Sequence, residues 1–342
     1  MHALAGEPAA SNPADAPQAS WSFQLDNDLF AGTDTNYTNG WRLSHTWSQD
    51  KSKINDLQQG LFDATGAENS DSFFDFLSPR KSNSRLEWDF GYSITQLMFT
   101  PTDRDAPKAP VGERPYAGWL GLMLTAHAKD RDSISSAGLA IGWTGEHSLA
   151  HAAQDFTHDL RDIEPFDGWD SQYPTEITLN LHLDRKWRFL ETRETLGSDD
   201  LQIDAHLDYG LALGNFRTGA YLGPLARLGF NLPATYPAPR IDGSAPSHKL
   251  FVSDAPEASW SAYLFGGARG HGVLHDITLD GPLFRDTDHA VDSRPWVYEF
   301  VYGFGLRWEA LDLIYSFTVR SDQFESQDDN HRFGSLLFRF NY

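Results

Sequence analysis

Strict alternation of apolar and polar residues over unusually long runs is the feature that most constrains this chain. In "EITLNLHLDRKWRF" (176–189), the odd positions from Ile177 to Leu183 are aliphatic, whereas the even positions between them are Thr, Asn and His. The stretches "LQIDAHLDYGLAL" (201–213) and "TGAYLGPLARLGF" (218–230) repeat the pattern. Each run is about twice as long as the roughly 5 or 6 residues typical of a soluble sheet strand.

Long strands with one apolar face, one polar face and aromatic residues near their ends predict a transmembrane β-barrel of the outer-membrane type. A closed barrel satisfies every backbone hydrogen bond within hydrocarbon. The C-terminal "SLLFRFNY" also places Leu336, Phe338, Phe340 and Tyr342 on one face, as is usual at the end of such barrels. The alternative is a large soluble β-sandwich or a lipocalin-like barrel, which the length of the alternation disfavours.

The pattern predicts an all-β fold, a single antiparallel transmembrane barrel of about 12 strands with a short helix in an extracellular loop. Residues 1–19 are expected to form a flexible N-terminal tail, and residues 20–342 the barrel. The predicted strands are 20–28, 38–47, 86–98, 116–128, 133–146, 175–189, 201–213, 217–230, 258–271, 296–308, 311–321 and 332–342. With both termini on the periplasmic side, the first, third and fifth connections open outside, and 48–85 and 231–257 are long periplasmic connections.

Two features of the composition exclude classes of function. The chain has no cysteine, so disulfides, thiolate catalysis and cysteine-ligated zinc are absent. Its net charge of −21 argues against a nucleic-acid partner, because binding to phosphate requires a basic surface.

The first outer loop, in "LDNDLFAGTDTNYTNGWRLS" (25–44), carries oxygen ligands at the rim of the barrel. Alternation directs Asp28 inward and Asn27 to the opposite side, and it places Thr38 in phase with Arg42, which faces inward. Carboxylate, amide and hydroxyl oxygens suit a hard cation such as Ca²⁺. The loop lacks the spacing of an EF-hand, and an ordinary solvated polar loop is the alternative.

The second outer loop, "TPTDRDAPKAPVGERPYAGWL" (100–120), brings two cations, Lys108 and Arg114, to the same rim. They are candidates for pairing with a phosphate or carboxylate of a substrate. The alternative is that they balance neighbouring acidic residues of the same loop.

The third outer loop, "GEHSLAHAAQDFTHDLRDIEPFDGWDSQ" (145–172), predicts a short helix over 148–160 with a serine cap. Gln154 and His158 lie one turn apart on it, and Glu164 follows before a proline turn. A histidine with an orienting partner and a nearby carboxylate can act as a general base; an inert loop histidine is the alternative. No G-x-S-x-G motif occurs, so a serine nucleophile is unsupported.

Several motifs occur together in an order that resembles the outer-membrane lipid A 3′-O-deacylase family. They are "NDLF", "TDTNYTNGWRLS", "QLMFTPTD", "ERPYAGWL", "AQDFTHDLRDIEPFDGWDSQ", "GNFRTGAYLGPLARLGFNLP", "HDITLDGPLFRD" and "HRFGSLLFRFNY". The resemblance runs from about residue 21 to the C-terminus and does not depend on one motif.

The resemblance implies a twelve-stranded barrel in the outer membrane of a Gram-negative bacterium, with its active site on the extracellular side. It implies a Ca²⁺-dependent carboxylic-ester hydrolase that removes the 3′-linked acyloxyacyl chain of lipid A. By the matching motifs, His158 would activate water, with Gln154, Asn27 and Thr38 as further catalytic residues. From the chemistry of their side chains, Asp28 and Glu164 are the expected metal ligands, and Lys108 and Arg114 are the expected contacts of substrate phosphate. The partners would be lipopolysaccharide and outer-membrane lipid, and the protein a monomer.

Two other functions compete with this one. A passive pore or structural barrel would bind cations at its loops without turnover, although about twelve strands leave little free bore. An outer-membrane phospholipase would also use a histidine, but its usual serine nucleophile has no candidate here.

Overall fold

The structure, a computed structural model, describes residues 19–28, 36–49, 87–103, 106–161, 166–192, 201–235, 237–241, 258–287, 289–327 and 329–342. In these ranges no helix is both long and apolar enough to cross a membrane. The predicted tail falls outside the described residues except for Ala19, which begins the first strand. The predicted connection 48–85 also lies outside them, apart from its first two residues, which belong to the second strand.

Twelve antiparallel strands form one closed barrel, as the alternation predicts. The strands are β1 (Ala19–Asn27), β2 (Asn36–Gln49), β3 (Glu87–Thr100), β4 (Ala117–Lys129), β5 (Ser133–Thr144), β6 (Ile177–Glu191), β7 (Gln202–Gly214), β8 (Arg217–Phe230), β9 (Trp260–Asp276), β10 (Trp296–Trp308), β11 (Leu311–Arg320) and β12 (His331–Asn341). Each strand pairs with its sequence neighbours, and β1 closes the barrel on β12 with Ser20 opposite Asn341.

The outer surface of the barrel is apolar and its interior is polar. Along β6, Ile177, Leu179 and Leu181 are exposed, whereas the polar residues between them are buried in the lumen. On β10 every outward-facing residue from Trp296 to Trp308 is aromatic except Leu306. For a strand tilted by the usual 35–45°, twelve residues span about 30 Å along the barrel axis, the thickness of a bilayer core.

The connections after odd-numbered strands all open at one end of the barrel, which we call the loop end. They include the loop over 101–116 between β3 and β4, and the loop over 145–176 between β5 and β6. Ala19 and Tyr342 lie at the opposite end, and the even-numbered strands also end there. The first three predicted outer loops therefore share one end, as parity requires.

The segment after β8 enters the lumen, whereas the sequence predicts a periplasmic connection over 231–257. Arg227 Nη2 donates to Pro233 O at 2.9 Å, and Gln24 Nε2 donates to Ala238 O at 2.9 Å. The segment reaches Ile241, whose N–H donates to Asp26 Oδ2 at 2.7 Å near the loop end of β1. Residues 242–257 lie outside the described part of the chain. Inward-facing arginines need acceptors, and the carbonyls of this segment supply some of them.

Ion pairs occupy much of the remaining lumen. Glu299 accepts from Arg240 Nε at 2.8 Å and from Arg320 Nε at 2.5 Å, and all three side chains are buried. Near the loop end, Ile241 joins an apolar cluster that includes Tyr37 and Phe99. Side chains and one segment of the chain fill part of the described lumen, and a cavity lined by residues such as Arg217, Asp276 and Glu299 remains.

Candidate active site

The loop between β5 and β6 folds back over the outside of the barrel wall. On β3, Ile94 faces outward and is 42% exposed, yet Met98, which shares its face, is only 1% exposed. Gln96 Nε2, on the same face, donates to Ser148 O at 2.6 Å, and Met98 packs against Ala150 and Trp169. The loop thus covers the outer, lipid-side face of β3 at the loop end.

Gly118, the outward-facing residue on the adjacent strand β4, permits this close approach. A Cβ atom at Gly118 would overlap Ser148 Oγ and the Cβ of Ala150. A glycine here allows the loop to contact the wall backbone directly, which fixes where the following helix starts.

Helix α1 (Ala150–Arg161) follows a 3₁₀ turn over Gly145–Ser148. Ser148 Oγ accepts from the N–H of Ala150 at 3.3 Å, close to the predicted serine cap. Leu149, between the two helical segments, has a left-handed backbone with φ of 55°.

The two faces of α1 are the reverse of those of a helix on a water-soluble protein. Its buried face carries Gln154 and His158, whereas Phe156 on the helix and Leu149 just before it are 69% and 58% exposed. A helix facing water normally buries its apolar stripe. Because α1 lies on the outer side of the barrel wall, its exposed Phe156 is directed away from the barrel.

Gln154 and His158 form the polar centre beneath α1. Their Nε2 atoms are 3.5 Å apart, and Gln154 Oε1 accepts from the indole Nε1 of Trp169 at 2.7 Å. The His158 ring meets Phe166 edge-on, with ring centroids 5.2 Å apart. Trp169 packs against Tyr116, at a centroid distance of 5.3 Å. The site therefore combines a buried imidazole with an amide that is itself hydrogen-bonded.

Asn27 and Asp28 lie at the loop end of β1 on opposite faces, as the alternation predicts. Asp28 is fully buried and continues the inward series of Gln24, whereas Asn27 is half-buried on the outward face that carries Phe23. Asn27 is thus on the same side of the wall as α1.

Thr38 does not face inward with Arg42 as expected, because a β-bulge shifts the register between Tyr37 and Asn39. Tyr37 packs inside the barrel, where its hydroxyl donates to Asp26, and Thr38 is displaced to the other side. The hydroxyl oxygens of Thr38 and Thr100 are 2.5 Å apart.

Thr100 connects this pair to the helix site. It shares the outward face of β3 with Met98, against which the α1 loop packs, and the two positions are about 7 Å apart along the strand. The described residues therefore bring Thr38 and the α1 loop to neighbouring positions on β3.

Asp28 supplies a buried carboxylate and Asn27 an amide oxygen, which are donor types that a hard cation prefers, but the two side chains lie on opposite faces of the barrel wall. Among the residues that the structure describes, no three histidine, aspartate or glutamate side chains lie close enough to hold a metal ion. Glu164, the second predicted carboxylate ligand, lies outside the described residues. Ca²⁺ binding therefore stays a prediction based on donor type.

The two predicted phosphate contacts differ in their surroundings. Lys108 is exposed in the loop over 101–116. The Arg114 guanidinium is buried, donating to Gln323 Oε1 at 3.0 Å and to Thr278 Oγ1 at 2.8 Å. Burial lowers the pKa of Arg114 to about 10, an effect that Asp276 partly offsets. In this structure Arg114 ties three loops together, and its contact with phosphate stays a prediction.

The sequence predicts no role for Trp169, although the residue lies within the motif "AQDFTHDLRDIEPFDGWDSQ". The residue follows Gly168, where a Cβ would overlap the ring of Tyr116. A glycine–tryptophan pair inside an otherwise polar loop is the local signal that this segment packs tightly.

Comparison with known proteins places this architecture in a family. The model of the family described as outer membrane protein LpxR matches residues 1–342. No curated protein is significantly similar to the chain in sequence. LpxR from Salmonella typhimurium has a similar structure, with a TM-score of 0.69 and 14% identity over 94% of this chain and 100% of that one.

Two autotransporter domains match the chain with lower structural similarity. The β domain of Bordetella BrkA has a TM-score of 0.43 and 10% identity, covering 95% of this chain and 100% of its own. The translocator domain of NalP from Neisseria meningitidis has a TM-score of 0.40 and 10% identity, covering 96% and 88%. The family match extends over the whole chain. This chain belongs to the LpxR family of outer membrane proteins.

Proposed function

We propose that the protein is a Ca²⁺-dependent ester hydrolase that removes the 3′-linked acyloxyacyl chain of lipid A at the extracellular side of the outer membrane. The observation that carries the proposal is the position of His158. It lies on the buried face of α1, between the helix and the outer face of the barrel wall, whereas Phe156 on the same helix and Leu149 just before it are exposed. A base in that position can meet an acylated lipid without extracting it from the membrane.

The proposed reaction uses His158 as the general base for water. A neutral imidazole accepts the proton of the attacking water near neutral pH. Asn27 and Thr38, on the same side of the wall, are proposed to orient the ester. When bound, Ca²⁺ would supply positive charge at the ester oxygen that becomes negative, with Asp28 and Glu164 as its carboxylate ligands.

The interior of the barrel, in the part of the chain that the structure describes, favours this function over a passive pore. Arg227, Glu299 and the segment ending at Ile241 occupy the bore with hydrogen bonds and ion pairs. An aqueous channel requires a wider interior that side chains do not fill.

A competition assay tests the substrate class. The purified protein is incorporated into vesicles that contain lipid A and phospholipid together, and the released acyl products are identified with Ca²⁺ or with chelator. We expect acyl chains from lipid A in the presence of Ca²⁺ and little release from phospholipid. Release mainly from phospholipid would contradict the lipid A proposal but retain an esterase. If neither lipid changed while planar bilayers showed a steady conductance, a passive pore would replace the ester hydrolase as the proposed function.

A further inference from the structure

Trp169 is placed to control the polar centre beneath α1. It is 1% exposed and packs among Met98, Tyr116 and Phe166 on the outer side of the wall. Its single polar atom, the indole Nε1, donates to Gln154 Oε1 at 2.7 Å. The indole is therefore both held in place by packing and committed to one hydrogen bond.

This contact fixes the orientation of the Gln154 amide. An indole N–H can only donate, so the atom of Gln154 that faces Trp169 must be its oxygen. The amide NH₂ group then faces the Nε2 atom of His158, 3.5 Å away. Rotating the amide by half a turn would bring two donors together at Trp169.

An NH₂ group at Nε2 selects one form of the neutral imidazole. Of its two ring nitrogens one carries the proton and the other accepts. A proton on Nε2 would face the Gln154 NH₂ group, donor against donor, whereas a proton on Nδ1 leaves the Nε2 lone pair as acceptor. The order of groups is thus Trp169 N–H, Gln154 oxygen, Gln154 NH₂ and His158 Nε2.

We infer that Trp169 is a positioning residue that keeps the proton of His158 on Nδ1 and leaves Nε2 as the basic nitrogen. The catalytic consequence rests on the proposed function, in which His158 takes a proton from water. The 3.5 Å separation is long for a hydrogen bond, so a water molecule can compete with the amide for the Nε2 lone pair. The tautomer itself does not depend on which reaction the site performs.

Two substitutions are expected to change the tautomer of His158 to different extents. Trp169→Phe keeps an aromatic ring but removes the donor, which frees the Gln154 amide to rotate. Gln154→Glu keeps an acceptor for Trp169 and presents a second carboxylate oxygen to His158, which attracts the proton to Nε2. Trp119→Phe is the matched control, because Trp119 is also 1% exposed and its Nε1 donates to Thr178 Oγ1 at 2.8 Å, inside the barrel.

The first readout is the ¹⁵N spectrum of histidine-labelled protein in detergent at a pH where the imidazole is neutral. The chain has 13 histidines, so the signals of His158 are assigned by their loss in His158→Ala. We expect Nδ1 to be protonated in the native chain and in Trp119→Phe, a mixture of tautomers in Trp169→Phe, and a protonated Nε2 in Gln154→Glu. A native chain with its proton on Nε2, or no change in Trp169→Phe, would overturn the inference.

The second readout is hydrolysis. Trp169→Phe is expected to lower kcat by about 10- to 100-fold, the usual cost of losing a group that orients a catalytic residue, with KM unchanged. Equal losses in Trp169→Phe and Trp119→Phe would show only a structural role and overturn the positioning role. If the native chain hydrolysed no lipid, the proposed function would fail, while the spectra would still decide the tautomer.

Discussion

Replacing His158 with alanine is expected to lower kcat for ester hydrolysis by about 10²- to 10⁴-fold, the contribution of a positioned general base. The cavity left beside Phe166 is small and lies outside the barrel, so the twelve-stranded fold is expected to persist. The measurement is the initial rate of acyl release at saturating substrate. Heat-dependent gel mobility of the barrel verifies folding.

The matched control for this variant is His147→Ala. His147 lies in the same loop but is exposed, and its Nδ1 is 3.0 Å from Thr175 Oγ1, away from Gln154. We expect the control to retain nearly full activity. An equal loss in both variants would indicate disturbance of the loop, and full activity in His158→Ala would exclude His158 as the base.

Glu299→Gln is expected to lower the free energy of unfolding by about 3–5 kcal/mol, as breaking a buried ion pair does when the opposite charge stays behind. The carboxylate is buried and contacts Arg240, Arg320 and His271, whose Nε2 is 3.1 Å from Oε2. Without its charge, two buried guanidinium groups face each other across a neutral amide. Urea unfolding of the folded barrel in lipid vesicles, followed by tryptophan fluorescence, measures the change.

Glu325→Gln provides the comparison, because Glu325 is exposed in the loop after β11. A surface charge removed there is expected to change the free energy of unfolding by less than about 1 kcal/mol. If Glu299→Gln lowered the free energy of unfolding by no more than this amount, water in the lumen would be screening the charges of Arg240 and Arg320.

Most of the barrel could be predicted because alternation reports directly on which face meets lipid. The predicted and observed strand limits differ where the alternation is interrupted. The last predicted residue of β9 is 271, but the strand continues to Asp276. Glycines at positions such as Gly270 and Gly272 interrupt the alternation, while hydrogen bonding to β8 and β10 continues the strand. The hydrogen bonding of a strand to its neighbouring strands cannot be read from a local sequence pattern.

The lumenal segment was not predictable for a different reason. Its proline-rich sequence is that of a connection, and nothing local distinguishes a connection outside the barrel from one inside it. The segment is needed inside the barrel because distant residues such as Gln24 and Arg227 have buried hydrogen-bond donors that need acceptors.

The residues of the candidate site also differ in whether the sequence predicts their placement. Helical spacing places Gln154 and His158 one turn apart, and the structure brings them together. Thr38 was assigned to the wrong face because a bulge adds one residue to a strand and reverses its alternation. The contact from Trp169 to Gln154 joins residues 15 positions apart across a turn, which sequence spacing alone does not indicate.

The most direct test of the proposed activity is the mass of lipid A after incubation with the folded protein in detergent. Native protein and His158→Ala are compared, each with Ca²⁺ and with chelator. We expect lipid A to lose one 3′-linked acyloxyacyl unit only with the native protein and Ca²⁺. Lipid A of unchanged mass under all four conditions, or the same loss with His158→Ala, would contradict it.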